Sequence, residues 1–369
     1  VITLKNRARL APDTGRFAQL LLSASRQARI GGDAVSALRF IRASHGLHGQ
    51  AGAEERGVFL LEEAECEFLN GNLSAALGVS AKILASPGDV IDKADAASLI
   101  AEIHMRQSDS QRALETALAW LAVFGIEMPR HPDKADCDDA RLRLKEDVGK
   151  NPYTRFRSLP RLTCQKTEAI MDLLASASTF AAFTCPRLQF MILCRLLHMT
   201  LARGISGAST LALAWYGVVC GDRYDEYSRG FASALLAREL VDKHDFVRYK
   251  ARTLLPLDQV SIWTMPLTYA IECARATFDV AVETGDRTSA CLALRHITMN
   301  YLARGDHLDG VHTSITRSMV YAHKAHYRDV EVILGMQLDY VMFLRKPSGE
   351  PFSGEAFTVP VLSGVQRKN

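Results

Sequence analysis

Histidine is the residue whose spacing in this sequence comes closest to a metal site. His323 and His326 lie three residues apart on a segment predicted to be helical, and His307, His312 and Asp329 are nearby in the sequence. Imidazole nitrogens at this spacing can bind one metal ion. Because no acidic or thiol ligand completes the set at a fixed spacing, we favour surface histidines here.

Two further pairs have ligand chemistry, His45 with His48 and Cys185 with Cys194. They are discounted for the same reason, and Pro186 with a helical stretch separates the two cysteines. A Ser or Cys nucleophile with His and Asp partners could be chosen from many positions, and no GxSxG turn raises one hydroxyl. The sequence therefore predicts no catalytic residue, no metal site and no cofactor, and the chain itself is not expected to be an enzyme.

Basic and aromatic residues are mixed in one short segment. They are Arg155, Arg157, Arg161 and Lys166, together with Tyr153 and Phe156. Such a mixture can contact phosphates and stack on bases. Residues Gly149 to Pro160 are predicted to be a loop, and the segment lies in this loop beside an acidic helix, whereas nucleic-acid binders spread basic charge over a face. We favour a packing linker and predict no nucleic-acid partner.

Composition excludes several classes of function. The 369 residues include 44 basic and 41 acidic side chains, so a net charge of +3 gives no strong attraction to nucleic acid or anionic lipid. The eight cysteines form no CxxC pair, which favours a reducing, cytoplasmic setting. The chain starts without Met or a signal-peptide core and is interpreted as an interior fragment, and no uncharged run is predicted to insert in a membrane.

The elements that position these residues follow from a repeated turn. Gly or Ser precedes Asp or Asn, and a small residue with an apolar one follows four residues later. The copies are Gly32-Asp33 with Ala37-Leu38, Gly71-Asn72 with Ala76-Leu77, Ser108-Asp109 with Ala113-Leu114, and Gly305-Asp306 with Gly310-Val311. The first three recur after 39 and 37 residues, slightly longer than the roughly 34 residues of a tetratricopeptide (TPR) repeat. The pattern predicts stacked helical hairpins.

Small residues predict how the paired helices cross. Ser25, Ala64 and Ala101 each lie twelve residues before the small residue that follows the next turn. Since no segment alternates at period two, we predict an all-α chain, an α-solenoid of TPR-like helix hairpins. The predicted domains are TPR-like hairpins in residues 1–130, an atypical helical segment in 131–205, degenerate TPR-like pairs in 206–345 and a linker or frayed tail in 346–369.

The repeat register also predicts a concave face. First-helix positions before each turn select Arg26, Arg29, Glu65, Phe68, Glu102 and Met105. These side chains could bind a mixed-charge peptide or another helix. A solvated inner face is the alternative that we favour, because charged residues on exposed helices need no partner. For a small-molecule receptor, Trp215, Tyr216 and Trp263 are possible apolar anchors, although core packing explains them more simply.

Five short stretches occur in an order that resembles a known arrangement. They are Ala64-Glu65-Cys66-Glu67-Phe68-Leu69-Asn70-Gly71, His131-Pro132, Met171-Asp172-Leu173-Leu174, Ala214-Trp215-Tyr216-Gly217 and Val282-Glu283-Thr284-Gly285-Asp286. Over about residues 16–345 the chain resembles the helical region of giant bacterial signalling proteins. Those proteins join a serine/threonine protein-kinase-like domain, a STAND-type predicted ATPase, this helical region, a GAF domain and a sensor histidine kinase.

The resemblance implies a cytoplasmic, non-catalytic scaffold arm that couples the ATPase to the kinase through protein–protein contacts. Its partners would be the ATPase, GAF and kinase modules of the same polypeptide, with a peptide or protein partner also open. None of the family's catalytic motifs, such as GxxxxGK[ST] or HRD, falls within this chain. The alternative hypothesis is a TPR-like receptor or adaptor for a peptide or small-molecule signal.

Overall fold

Helices make up nearly all of the regular structure. The computed structural model describes residues 14–45, 47, 53–149, 151–325 and 327–345. These residues form 17 α-helices and no strand, with an isolated β-bridge between Arg161 and Ile205. The predicted all-α class is confirmed. Contacts divide the chain into two compact units, Val1–Glu127 with Cys164–Ala177, and Met128–Thr163 with Ser178–Asn369.

The first unit is a run of three helix hairpins. Its helices are α1 (Thr14–Ile30), α2 (Ala34–Ser44), α3 (Ala53–Leu69), α4 (Leu73–Ala85), α5 (Val90–Arg106) and α6 (Ser110–Val123), with the part of α9 (Gln165–Thr184) that ends at Ala177. Each helix from α1 to α6 packs on the next, and α1, α3 and α5 also pack on one another in sequence. Stacking of the first helices of successive hairpins is the α-solenoid arrangement that the repeat predicts.

The second unit continues the same rule with longer helices. It contains α7 (Lys134–Val148), α8 (Pro152–Arg157), α10 (Pro186–Arg203), α11 (Gly207–Tyr224), α12 (Tyr227–Lys243), α13 (Val247–Ser261), α14 (Leu267–Glu283), α15 (Arg287–Arg304), α16 (Leu308–Lys324) and α17 (Arg328–Arg345), with α9 from Ser178. Helices α11, α13, α15 and α17 pack in sequence, and α7 packs on α10. The hairpins of this unit therefore form a second TPR-like stack.

The repeated turn has one geometry. Gly71 has φ 80°, and the following Asn72 N–H donates to the Glu67 carbonyl at 2.9 Å, which closes the end of α3. Left-handed backbone favours glycine. In the third copy Ser108 takes the same region at φ 61° without being glycine, and Asp109 accepts the Arg112 N–H at 3.0 Å to start α6. The turn residues thus end one helix and begin the next.

Close crossings follow the predicted register. Ser25 Oγ donates to the Ala37 carbonyl at 3.0 Å, and Ala64 with Ala76 in the next hairpin is fully buried. In the second unit, α11 and α12 approach still more closely. A Cβ added to Gly230 would lie 2.2 Å from the carbonyl oxygen of Gly217. Glycine is required at this crossing because any side chain would separate the two helices.

The segment Gly149 to Pro160 is not only a loop, and that prediction was wrong. It contains the short helix α8. Asn151 Oδ1 accepts the Thr154 N–H at 3.3 Å, and Pro152 occupies the first helical turn, where its missing N–H costs nothing. Phe156 at the end of this helix is 3% exposed and anchors it.

Among all the described residues, no helix combines the length and apolar character needed to cross a membrane.

Candidate functional site

The charged residues predicted for the concave face on α1 and α3 form ion pairs with each other or with a neighbour. Arg29 Nη1 lies 2.9 Å from Glu65 Oε2, and its Nε and Nη2 donate to both carboxylate oxygens of Glu62 at 3.1 Å. Arg26 Nε lies 3.7 Å from Glu62. Burial alone would lower the pKa of Arg29, but Glu65 and Glu62 outweigh it and raise that pKa. Charges predicted to line an open groove therefore largely satisfy one another.

Glu62 is the residue that sequence reasoning missed. Its side chain is 2% exposed, and it also accepts a hydrogen bond from Ser25 Oγ at 3.0 Å. We call Ser25, Arg26, Arg29 and Glu62 the Glu62 cluster. A buried carboxylate is stable only when it is paired and hydrogen-bonded. The signal was present, because Arg26 and Arg29 lie 36 and 33 residues before Glu62, about one repeat, but charge on a helix also predicts a solvated face.

The other predicted groove residues are packed to different degrees. Phe68 is 7% exposed, and the guanidinium carbon of Arg106 lies 4.0 Å from its ring centroid. Glu102 and Met105 on α5 are half-buried. The binding role of all six residues predicted for the concave face stays a prediction.

The candidate metal ligands make pairs rather than clusters. His323 Nδ1 lies 3.3 Å from Glu331 and His45 Nε2 lies 3.1 Å from Glu63, whereas His326 and His48 fall outside the described residues. Cys194 is 1% exposed, and burial raises its thiol pKa. No group of three or more His, Cys, Asp or Glu in the described part of the chain is placed to hold a metal ion.

The basic segment around α8 makes intramolecular contacts. Arg157 binds both carboxylate oxygens of Glu239 at 2.6 to 2.9 Å, and Arg161 lies over the Phe246 ring at 5.0 Å. Lys166 lies 3.5 Å from Asp89. These contacts fit the packing role that we favoured from the sequence.

A cavity of about 450 Å³ lies inside the second unit. Its walls come from α7, α8, α10, α11 and α12, and most of them are apolar. The lining residues are Leu144, Lys145, Val148, Gly149, Pro152, Tyr153, Phe156, Leu197, Leu213, Tyr216, Gly217, Cys220, Glu226, Arg229, Gly230, Ser233 and Leu236. This volume is typical of sites for small molecules. We call it the apolar cavity.

Glu226 is the one carboxylate in the lining of the apolar cavity, and nearby cations neutralise it, including Lys145 and Arg229 of the same lining. Arg141 donates to it at 2.5 Å, Arg229 lies 3.1 Å away and Lys145 lies 3.5 Å away. Burial would raise the pKa of Glu226, but the hydrogen bond and charge of Arg141 outweigh burial and hold the pKa below its usual value. The cavity therefore presents an ionised but compensated carboxylate to a ligand.

Besides Glu226, Lys145 and Arg229, the wall carries a phenol and a thiol that keep their protons at physiological pH. Burial raises the pKa of the Tyr216 phenol, and it raises the pKa of the Cys220 thiol to about 11. Tyr216 stacks on Phe190 with ring centroids 5.8 Å apart. Of the three aromatic anchors considered from the sequence, only Tyr216 lines this cavity, since Trp263 is 64% exposed beside Tyr227.

The chemistry of this wall is that of a binding site. Burial raises the pKa of both tyrosines in the lining, Tyr153 and Tyr216, and of Cys220, so all three keep their protons at neutral pH. An apolar body with one or two polar atoms would match the hydrophobic walls and the few hydrogen-bonding groups. The apolar cavity is therefore the best-formed candidate site for a small ligand.

Comparisons with known proteins found similarity to solved structures but not to a family or a curated sequence. No protein-family model and no curated protein sequence matches the chain. It is similar to a Signal Transduction ATPase with Numerous Domains (STAND) protein with a tetratricopeptide repeat sensor from Pyrococcus horikoshii, with TM-score 0.44 and 13% identity over 90% of this chain and 45% of that chain. It is also similar to a Rap protein complexed with Competence and Sporulation Factor, with TM-score 0.41 and 12% identity over 86% and 83% of the two chains. The chain thus spans less than half of the STAND protein. Because both TM-scores are below 0.5, the functional interpretation rests on the geometry of this chain.

Proposed function

We propose that this chain is a non-catalytic helical-repeat scaffold within a longer signal-transduction protein, where it couples an ATPase module to a histidine-kinase module through protein–protein contacts. Two stacks of helix hairpins support the scaffold role, because such stacks offer extended surfaces and contiguous packing. The five sequence stretches that resemble multidomain signalling proteins support the nature of the flanking modules.

Buried polar contacts between the first helices of successive hairpins carry the coupling argument. Four such contacts are Ser25 to Glu62 at 3.0 Å between α1 and α3, Thr210 to Thr253 at 2.9 Å between α11 and α13, His296 to Asp258 at 2.8 Å between α15 and α13, and Thr298 to Gln337 at 2.5 Å between α15 and α17. A hairpin that shifts alone would leave buried polar groups unpaired, which costs about 1–3 kcal/mol for each group. Neighbouring hairpins within a stack therefore move together, as a relay between modules requires.

Sequencing the DNA on both sides of this coding segment is the first test. A frame that continues upstream into a Walker A motif and downstream into GAF and histidine-kinase motifs supports the proposal. A frame that contains neither module contradicts the coupling role.

The second test removes the arm. Deleting residues 14–345 while keeping the flanking modules should abolish the dependence of kinase autophosphorylation on the nucleotide bound by the ATPase. Unchanged dependence would reject the coupling role.

A single substitution sharpens this experiment. Thr298→Val removes the hydroxyl that donates to Gln337 while keeping the shape of the side chain, so the kinase response should fall. Thr313→Val is the matched control, because the Thr313 hydroxyl is exposed and bonds only within α16, to the Asp309 carbonyl at 2.8 Å. Equal responses of the two variants would argue against relay through the hairpin contacts.

The apolar cavity favours a second candidate function, a receptor or adaptor that binds a small-molecule or peptide signal. A ligand that binds only the folded chain raises its melting temperature. We would measure this temperature with fractions of a cell extract for the unmodified chain, for Val148→Phe, which fills the cavity, and for Val123→Phe. Val123 is 69% exposed on α6 and does not line the cavity.

The receptor hypothesis expects one result from this comparison. A fraction should raise the melting temperature of the unmodified chain and of Val123→Phe, but not that of Val148→Phe. A fraction that stabilises all three chains equally, or the absence of any stabilising fraction, contradicts a receptor role for the apolar cavity.

A further inference from the structure

A second cavity in the second unit, of about 520 Å³, is rich in positive charge. Its lining comes from α7, the start of α10 and the end of α11. We call this set the cationic cleft; its residues are Lys134, Asp138, Arg141, Arg187, Arg223 and Tyr224. Four cations face one carboxylate, so the lining carries an excess of three positive charges. Charge of one sign concentrated in a concave site attracts ligands of the opposite sign.

This positive charge is poorly compensated inside the cleft. Asp138, its one carboxylate, accepts a hydrogen bond from the Tyr224 hydroxyl at 2.9 Å. Arg141 forms its ion pair with Glu226, outside the cleft lining. Within the ranges the structure describes, Lys134, Arg187 and Arg223 make no ion pair.

Two of the guanidinium groups also have unused donors. The Nε atoms of Arg141 and Arg223 are buried and have no hydrogen-bond partner among the described residues. Their planes lie over aromatic rings, Arg141 over Tyr224 at 3.8 Å and Arg223 over Phe190 at 5.6 Å. Most buried N–H groups are paired in folded proteins. The two arginines therefore bring more hydrogen-bond donors to this region than the acceptors of the described residues satisfy.

The start of α10 adds to the positive field, whereas the carboxylates of Asp133 and Asp136 already cap the start of α7. Helix α7 begins at Lys134 and α10 begins at Pro186, and Cys137 Sγ donates to the Arg187 carbonyl at 3.7 Å, so the two starts lie together. The N-terminus of a helix carries partial positive charge and favours anions. Burial raises the pKa of Cys137, the charges of Arg223 and Arg187 oppose that rise, and Asp136 and Asp138 add to it.

We propose that the cationic cleft binds the phosphoryl group of a small molecule. Three arginines on three different helices offer more donors than the two oxygens of one carboxylate can accept, whereas a phosphoryl group presents three oxygens and up to two negative charges. Arginine forks match such oxygens in bidentate geometry. The cleft volume admits a ligand larger than phosphate itself. This site lies outside the scaffold role, which requires no anion.

Isothermal titration of the full chain with sodium pyrophosphate tests the proposal at an ionic strength held constant with sodium chloride. We expect saturable binding at one site. Arg223→Gln and Arg187→Gln should each weaken this binding by roughly ten- to a hundredfold, the loss expected for a charged hydrogen bond. Arg143→Gln should bind as the unmodified chain does. Arg143 is the matched control because it lies on α7, is exposed and pairs with Asp139.

Sodium malonate, a dicarboxylate, identifies the anion chemistry, and it should bind more weakly than pyrophosphate. Three outcomes would overturn the proposal: no saturable binding of pyrophosphate, equal affinity of the Arg223→Gln and Arg143→Gln variants, or malonate binding as tight as that of pyrophosphate. Arg187 is largely exposed, so Arg187→Gln keeps the test valid if Arg223→Gln folds poorly, and circular dichroism before titration reports that failure. The assay needs no kinase module, so its failure is distinct from failure of the coupling function.

Discussion

The Glu62 cluster of the first unit and the cationic cleft of the second unit use the same residue types in opposite ways. In the Glu62 cluster, a carboxylate that is 2% exposed accepts from Arg29 and Ser25, so the buried charge is compensated. In the cationic cleft, four cations share one carboxylate, and two arginine Nε donors are buried without a partner in the described residues. Paired charge stabilises the hairpin stack, whereas uncompensated charge is available to a ligand.

The same substitution in the two regions tests this contrast most strongly. Arg29→Met leaves the Glu62 carboxylate buried with Arg26 at 3.7 Å as its remaining cation, so we expect a loss of about 3 kcal/mol in the free energy of unfolding. Arg223→Met keeps an apolar stem against Phe190 and removes one of several like charges, so stability should change by less than about 0.5 kcal/mol.

Urea unfolding followed by helical circular dichroism measures both arginine variants. Arg39→Met, an exposed change on α2, is the control for the first unit. Equal losses in Arg29→Met and Arg223→Met would remove the distinction between paired and uncompensated arginines.

Glycine substitutions test the close crossing of α11 and α12, the helices that help to form the cationic cleft and the apolar cavity. A Cβ at Gly230 would overlap the Gly217 carbonyl, so Gly230→Ala should destabilise the chain by about 1–3 kcal/mol. A Cβ added to Gly335 on α17 would meet no atom within 4 Å, so Gly335→Ala should stabilise by about 0.5–1 kcal/mol through helix propensity. Opposite shifts in melting temperature are expected, and shifts of the same sign would contradict a close crossing of α11 and α12.

The change in the free energy of unfolding at acidic pH tests the ion pair between Glu226 and Arg141. Its folded-state pKa lies below the usual value of 4.5, so the unfolded chain binds a proton more readily. Its stabilising contribution is complete above the unfolded pKa and is lost as pH falls through the folded pKa. Free energies of unfolding measured across this acidic range should therefore fall less steeply for Glu226→Gln than for the unmodified chain. A slope identical to that of Glu283→Gln, an exposed change at the end of α14, would contradict the assignment.

Thiol reactivity gives the smallest expected effect. Burial raises the pKa of Cys66 beside Glu62 to about 12 and that of Cys220 in the apolar cavity to about 11. At pH near 8 neither should react with a disulfide reagent in the folded chain, because the thiolate is the nucleophile. Cys164 is exposed, so Cys164→Ser should remove a fast-reacting equivalent. Equal rates for Cys66 and Cys164, located by peptide mapping, would contradict the burial of the Glu62 cluster.

The hairpin fold could be predicted from the sequence because its signals are local. The turn residues select left-handed backbone, and the twelve-residue spacing brings Ser25 to Ala37 and Ala64 to Ala76. Helix α8 was missed although Asn151-Pro152 is a normal start signal, since the surrounding basic residues suggested a loop. Local sequence rules therefore predict most of the helices and the close crossings between paired helices.

The sites could not be predicted, because they depend on which helices meet. Tyr216 was considered as an apolar anchor without the other walls of the cavity, which come from four further helices. Arg187 and Arg223 are 36 residues apart, but nothing in the sequence shows that the end of α11 lies beside the start of α10. Glu62 was missed because a glutamate on a helix is expected to face solvent until its partners are known.

Arg141 contributes to both candidate sites of the second unit. Its guanidinium lines the cationic cleft and also donates to Glu226, which lines the apolar cavity. An anion that drew Arg141 away would leave Glu226 with Arg229 and Lys145 as its remaining cations, so occupancy of one site would alter affinity at the other. Thermodynamic linkage makes this influence reciprocal: each ligand changes the affinity of the other by the same factor. Mutation of this single arginine would therefore convert two communicating sites into two independent ones.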